Sequence, residues 1–515
     1  MAALLFVILI LFPVATWAEP VYDSSSSNLQ SSRTEPLTIT EVLARIELTH
    51  PLLRATGVER TQARAKILKA LGAWEPTFKN ISETDRYQSW NFLAFVNTTT
   101  GGYNDTKLEV GHPWGFRVHG GIRSGYGDRT NQAAHALIPN DGLLYWQNQQ
   151  ILAGGEGHLL RGLLINDEYA DYQKAELMGP LAEIHVAQKR QDLYLAGAIQ
   201  YWDWQVAVKQ AEVRRQNLAV AEARFTQVEG QAKAGKISPL DVAEMGQEVQ
   251  NRREAAIAAQ RQVEYEQYKL SLFLWENGEP VAPRPEWAPE FTGETPLPTE
   301  EDVTAAKVSA KEDRPEVQSL YIEAKLNNID LKLAKNFLLP KLDFRGGQMD
   351  AASDWNVGVG YRIESWFAMP LFQREGRGKV MYAEADQQQL VLKQLYAEQQ
   401  VSIDVDNWVS AIVRARDRVR AASEAYRLAK VLEEGERKRF DQGVTSILFV
   451  NKREQNAVEA AYELYRAQYD YVLARGGYLW ARGGLSKSVA TDVLAKYGDP
   501  SKAAGLHGNK VKGRD

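Results

Sequence analysis

Cysteine is absent from the 515 residues, which excludes disulfide frameworks, cysteine-ligated metals, thiol nucleophiles and the lipidated cysteine of a lipoprotein. Any anchoring must therefore come from the fold. Long apolar runs are also missing beyond the N-terminus: charges interrupt every helical stretch, so none supplies the ~20 apolar residues that a membrane-crossing helix needs. If the mature chain meets a bilayer, it does so as strands. Neither sign of charge dominates, the formal net charge being -5, and nucleic acid is not an expected partner. The 7 histidines include no pair four apart around a glutamate, and His112, His119 and His135 are scattered, so no metal site is expected. Gly230, Gly235 and Lys236 imitate phosphate-loop spacing, but Ile237 stands where Ser or Thr is needed and no buried strand precedes them. The acidic residues of the helices fit exposed faces better than an acid–base pair. No catalytic residue, cofactor or enzymatic activity is expected.

The chain opens on an apolar run from Ala2 to Phe12, followed by Pro13 and by Thr16-Trp17-Ala18, whose first and last residues are the small ones that a signal peptidase reads. Cleavage is expected after Ala18 and residues 1–18 are read as a signal peptide. The alternative, a membrane anchor, is opposed by the short apolar core. Residues 19–36 are expected to be disordered.

The rest is a duplication. His50-Pro51 opens a helical stretch that ends before Pro76, and Arg314-Pro315 opens one that ends before Pro340; each proline pair is displaced by 264 residues. Proline is preorganised for the start of a helix and stops one that has ended, so the pairs mark equivalent boundaries. Gly235-Lys236-Ile237-Ser238 then aligns with Gly443-Val444-Thr445-Ser446 at a displacement of 208, so the first copy carries 56 extra residues. They must lie between Pro76 and Gly235, and the Gly- and Asn-rich stretch from about Asn97 to Asp141 is the natural place. The first repeat covers 37–277, with strands at about 77–157. A linker of many prolines covers 278–312, the second repeat 313–484, with strands at about 341–368, and a C-terminal segment with a disordered Gly- and Lys-rich tail 485–515.

From Val405, the positions Trp408, Ile412, Ala415, Val419, Ala422, Tyr426 and Ala429 follow steps of three and four, the seam of a two-helix supercoil. Beyond Gly443 the spacing resumes at Val450, Ala457, Ala461, Leu464 and Tyr471, with polar breaks at Glu454 and Gln468. The run from Gly376 to Phe440 would be ~100 Å long as a helix. The first copy offers a similar run from Leu163 to Ala232, which Gly179-Pro180 should kink or interrupt.

Between Asp354 and Glu364 the odd positions Trp355, Val357, Val359, Tyr361 and Ile363 alternate with Asn, Gly, Arg and Glu, as in a strand with lipid on one face and water on the other. Leu342 and Phe344 continue the pattern. In the first copy Phe116, Val118, Ile122 and Tyr126 share a face, and Thr77 to Tyr87, Lys107 to Val110 and Leu143 to Ile151 are further candidates. One or two hairpins cannot close a barrel, so several protomers must share one wall.

This arrangement resembles the TolC family of outer-membrane channels, from about Leu37 to Gly484. The strings MPLFQREGRG from Met369 to Gly378, LLRG from Leu159 to Gly162 and RFDQG from Arg439 to Gly443 look like the family's strand-to-helix returns and tip turn. The resemblance implies a mainly α fold with a membrane β-barrel portion, assembled as a homotrimer with a barrel in outer-membrane lipid and an α-helical tunnel in the periplasm of a Gram-negative bacterium. It implies four strands per protomer, fewer than the candidates counted above, and the surplus fits either an extracellular elaboration or a wider barrel. It also implies work as the passive exit duct of a tripartite efflux or type I secretion system, with a periplasmic adaptor and an inner-membrane transporter as partners. Where familiar members carry acidic gate residues, this chain has Phe449 and Lys452, which suggests an apolar ring beside a basic one. Asp241 is a candidate for holding the closed tips, against its reading as a helix-start carboxylate. Gly235, Lys236, Ile237, Ser238, Gly443, Val444, Thr445 and Ser446 are the expected adaptor contacts. A soluble periplasmic coiled-coil adaptor is the alternative from another class; it accounts for the seams but not for two strand-bearing copies.

Overall fold

A computed structural model describes residues 36–90, 96–129, 144–235, 238–291, 293, 295–347 and 361–484. The signal segment, the tail, His135, Lys236, Ile237, Trp355, Val357 and Val359 lie outside the described residues. In each copy short helices lead into strands, and the strands into a helical hairpin of great length. The first copy runs α1 (Ile39–Thr49), α2 (Pro51–Gly57), α3 (Glu59–Leu71), β1 (Thr77–Trp90), β2 (Val96–His112), β3 (Phe116–Arg129), β4 (Leu144–His158), α4 (Asp167–Lys233) and α5 (Pro239–Ser271). A small hairpin follows, β5 (Trp275–Glu276) and β6 (Glu279–Pro280), turning through Asn277 and Gly278 at φ 51° and 86°. The second copy runs α6 (Glu300–Asp313), α7 (Pro315–Asn336), β7 (Lys341–Gly347), β8 (Arg362–Ala368), α8 (Arg374–Asp441) and α9 (Ile447–Ala481).

Pro51 and Pro315 both stand in the first turn of a helix. α6 precedes α7 as α1 precedes α2, so helical structure begins inside the stretch expected to be linker. α4 runs uninterrupted for 67 residues with Pro180 inside it, so of the kink or interruption expected at Gly179-Pro180 the interruption does not occur: Pro180 lies on an exposed face, where the orphaned carbonyl one turn back can turn to water, and the packing of the remaining turns carries the helix through. β2 and β3 occupy the described part of the insertion, and β2 extends well beyond the candidate stretch Lys107 to Val110. Gly, Asn and Thr there give no apolar alternation, yet their backbones pair along the whole length of their neighbours.

At 67 and 68 residues, α4 and α8 are each ~100 Å long. The seam expected on α8 is the buried side: Val405 and Ile412 are buried, and Ala422, Tyr426 and Ala429 are half-buried between exposed neighbours. One core joins α1, α4 and the end of α5 through Val42, Ile46, Tyr194, Trp204 and Leu270; a second joins α6, α8 and α9 through Ala310, Val401, Val405 and Tyr471. Close approach of α9 to both long helices needs glycine. A Cβ on Gly477 would meet Trp408 ring atoms at 2.4 Å, and one on Gly476 would meet the Trp202 ring at 2.7 Å. The two strand-to-helix returns also share a geometry: Gly162 and Gln373 are both left-handed, at φ 97° and 48°, and the Gln373 side chain donates to the Leu338 carbonyl at 3.1 Å.

Replacing Gly477 with Ala should lower the thermal melting point by the equivalent of ~1–3 kcal/mol, because the Trp408 ring has to move as a body. Gly179→Ala, where a Cβ meets nothing within 4 Å, should not lower it. Equal melting of the two variants would contradict this packing.

Candidate functional site

Two regions carry features that packing alone does not require: the far ends of the hairpins and the two faces of the sheet. At the first hairpin end, α4 stops at Gly235, φ 69°, whose N–H donates to the Ala232 carbonyl at 2.9 Å. At the second, Gly443 has φ 74°, its N–H bonds Phe440 at 2.8 Å and the Val444 N–H bonds Arg439 at 2.9 Å, the paired bonds of a glycine-terminated helix. Glycine is required because other residues meet their own backbone at this φ. Gly235, Ser238, Gly443, Val444 and Ser446 are exposed and Thr445 is half-buried. Beside the turns Leu240 is 76% exposed and its second-copy counterpart Leu448 57%. Apolar side chains exposed at matching positions of both tips are surplus to folding.

Phe449 and Lys452 are both exposed, three residues apart on the first turns of α9. Asp241 is half-buried and completes a capping box: the Ser238 N–H donates to its Oδ2 at 3.2 Å, so in this chain it holds the start of its own helix.

Behind the tips lies a cluster that sequence reasoning passed over as a break in a seam. Glu454 of α9 is 2% exposed and accepts from Arg224 of α4, from Arg252 of α5 at 2.8 Å and from Arg437 of α8 at 3.2 Å. All four long helices meet on one carboxylate. Arg252 also donates to Glu248 at 2.7 Å and to Asn217 at 2.9 Å, and Arg437 to Glu433 at 2.9 Å. Met245, Val249, Val228 and Ile447 seal the cluster from the tip side. Burial would push the Glu454 carboxyl up, but the hydrogen bonds and charges of Arg224 and Arg252 outweigh it and hold the group below the usual carboxylate range. A polar residue at a seam position is the signal that could have found it.

The sheet, in the order β1-β2-β3-β4-β7-β8, is antiparallel throughout. Cross-strand partners share a face, and the register sorts the side chains. One face carries Phe78, Leu108, Val118, Ile122, Ile151, Phe344, Ile363 and Phe367. Among the described side chains its ionisable members are His112 at the helix end and Arg86 at the other. Its polar members satisfy one another: Asn80 donates to Asn104 at 3.0 Å and to Thr106 at 2.7 Å. Ile363 is 64% exposed, and Tyr361, 83% exposed, lies just before β8; the earlier part of the alternating stretch lies outside the described residues. The opposite face carries the charges. Lys79 pairs with Glu109 at 2.7 Å, Arg345 with Glu156 at 2.9 Å, and Arg123 with Asp105 at 2.6 Å, this last pair almost free of solvent under the Tyr103 ring.

Because the folded pKa of Glu454 is lowered, its contribution to stability is complete above the ordinary value of 4.5 and is lost as pH falls through the folded value. Glu454→Gln should cost ~3–5 kcal/mol at neutral pH by stranding buried arginines, and should flatten the acid limb of the melting profile below about pH 4. A variant that melts like the parent at neutral pH would remove the cluster's role.

No protein-family model matches the sequence, and no curated protein matches it. Solved structures do. The Campylobacter jejuni CmeC outer membrane channel is 13% identical, with a TM-score of 0.64 over 90% of this chain and 93% of that one. The outer membrane protein VceC from Vibrio cholerae is 14% identical, with a TM-score of 0.61 over 87% of this chain and 96% of that one. The open state of the Neisseria gonorrhoeae MtrE outer membrane channel is 14% identical, with a TM-score of 0.61 over 87% of this chain and 89% of that one. Across nearly its whole described length, the chain has the fold of the TolC-family outer-membrane channels.

Proposed function

We propose that the chain is the outer-membrane channel of a Gram-negative tripartite efflux or type I secretion system, a homotrimer whose strands stand in lipid and whose helices form a periplasmic tunnel. The observation that carries this reading is the sorting of the sheet, one face apolar or internally hydrogen-bonded and the other charged and paired. A strand wall between lipid and a watery lumen requires that division. No described helix is long and apolar enough to cross a membrane, so the strands carry the whole insertion. The duct is passive, and opening comes from partners that act on the tips.

The tips supply the contacts. A periplasmic adaptor binds the turns at 235–238 and 443–446 and the exposed Leu240, Val444 and Leu448 beside them, and an energised inner-membrane transporter completes the path. Phe449 and Lys452 line the constriction as an apolar and a basic ring, and Asp241 fixes the neighbouring helix start from which tip contacts between copies are made. The Glu454 cluster holds the four helices of each protomer in register, so that the tips open as units.

Fractionation should place the protein in the outer membrane as a heat-modifiable trimer; a freely soluble periplasmic monomer would contradict the reading. In single-channel recordings Phe449→Asp and Lys452→Asp should each shift selectivity toward cations. Unchanged conductance and selectivity in both would remove these residues from the gate.

A further inference from the structure

We infer that all six long-sheet strands of each protomer stand in the barrel wall, so that three copies close an eighteen-stranded barrel with β1 of one copy paired to β8 of the next. The inference rests on the trimeric channel reading and deepens it. Among the described residues the sheet's two edges are β1 and β8, each with a neighbouring strand on one side, β2 and β7. β1 leaves the helix end and β8 returns to it, so an edge-to-edge pairing of two copies is antiparallel, like every pairing inside the sheet. An even strand count makes that repeatable around a ring, and a second copy of this chain is the partner whose edge has the matching direction, the apolar outer face and the charged inner face.

The inserted pair is β2–β3. β1 follows the short helices and β4 leads into α4, just as β7 follows α7 and β8 leads into α8, which leaves β2 and β3 without a counterpart among the described residues of the second copy. An extracellular elaboration would have its turn at the outer end. The turn between β2 and β3 is instead at the helix end, with Gly115 at φ 75° and the Pro113 carbonyl accepting from the Asn166 side chain at 2.9 Å. Asn166 also caps α4, accepting from the Tyr169 N–H at 2.7 Å, so one residue ties the hairpin to the base of the tunnel. β2 and β3 then run 17 and 14 residues alongside β1 and β4, longer than the ~9–11 that cross a bilayer. They are wall strands by length, register and anchorage.

Barrel diameter grows roughly in proportion to strand number, so eighteen strands make a pore about half again as wide as twelve. The purified full-length oligomer is first weighed in its native state and recorded in planar bilayers. A species that is not a trimer, or does not conduct, defeats the channel reading and this inference with it. For a conducting trimer, a fluorophore on a single cysteine at Leu108 or Val118 of the otherwise intact chain then decides: quenching by lipid-phase nitroxides as strong as at Ile363 is expected, and no quenching places β2 and β3 off the wall and overturns the inference alone.

Discussion

In the proposed channel a backbone amide in hydrocarbon has no water to turn to, and that constraint organises the molecule. Helices satisfy it internally, but none described here is long and apolar enough to cross a membrane. Strands satisfy it only when both neighbours are present, so a sheet whose edges among the described residues are β1 and β8 is incomplete by itself in lipid. The rest of the architecture follows. Antiparallel strands return the chain to one side of the sheet, where the helices must begin and end. Duplication provides that geometry twice, and the left-handed turns at Gly162 and Gln373 send each copy from its last strand into a long helix.

The helical part faces water and a different problem: a two-helix seam tolerates sliding, and rods of this length have many near-equivalent registers. Alanine-rich contacts such as Ala415, Ala457 and Ala461 bring the backbones close but specify little. Buried charge specifies more. Glu454 can reach Arg224, Arg252 and Arg437 together in one register only, and slippage would strand several desolvated charges. Midway along α4 and α8, the glycines at 476 and 477 perform the same task by shape, admitting Trp202 and Trp408 where any side chain would collide.

Much of this was legible in the sequence, for identifiable reasons. Prolines 51 and 315 mark helix starts because their fixed φ suits that position, and they mark the duplication because both copies keep it. The α8 seam was legible because its spacing continues for several turns. β2 was legible only at Lys107 to Val110, since its Thr, Gly and Asn residues gain their stability from ladder bonds and cross-strand side-chain pairs that depend on partners far along the chain. Pro180 misled because a lost hydrogen bond on a wet face costs less than the packing of a 67-residue helix supplies. Glu454 was visible as an irregularity, but its three arginines come from three other helices and no local pattern links them.

The division of the sheet into a lipid face and a lumen face is the claim on which the account turns, and the cysteine-free chain makes it directly measurable. Single cysteines placed successively from Ile363 to Phe367 in β8, in protein embedded in its membrane, are labelled with a water-soluble, membrane-impermeant thiol reagent. Positions 364 and 366 should react and 363, 365 and 367 should not, the period of two that a strand between lipid and water imposes. Uniform labelling of all five would mean that water reaches both faces, and would contradict a membrane wall.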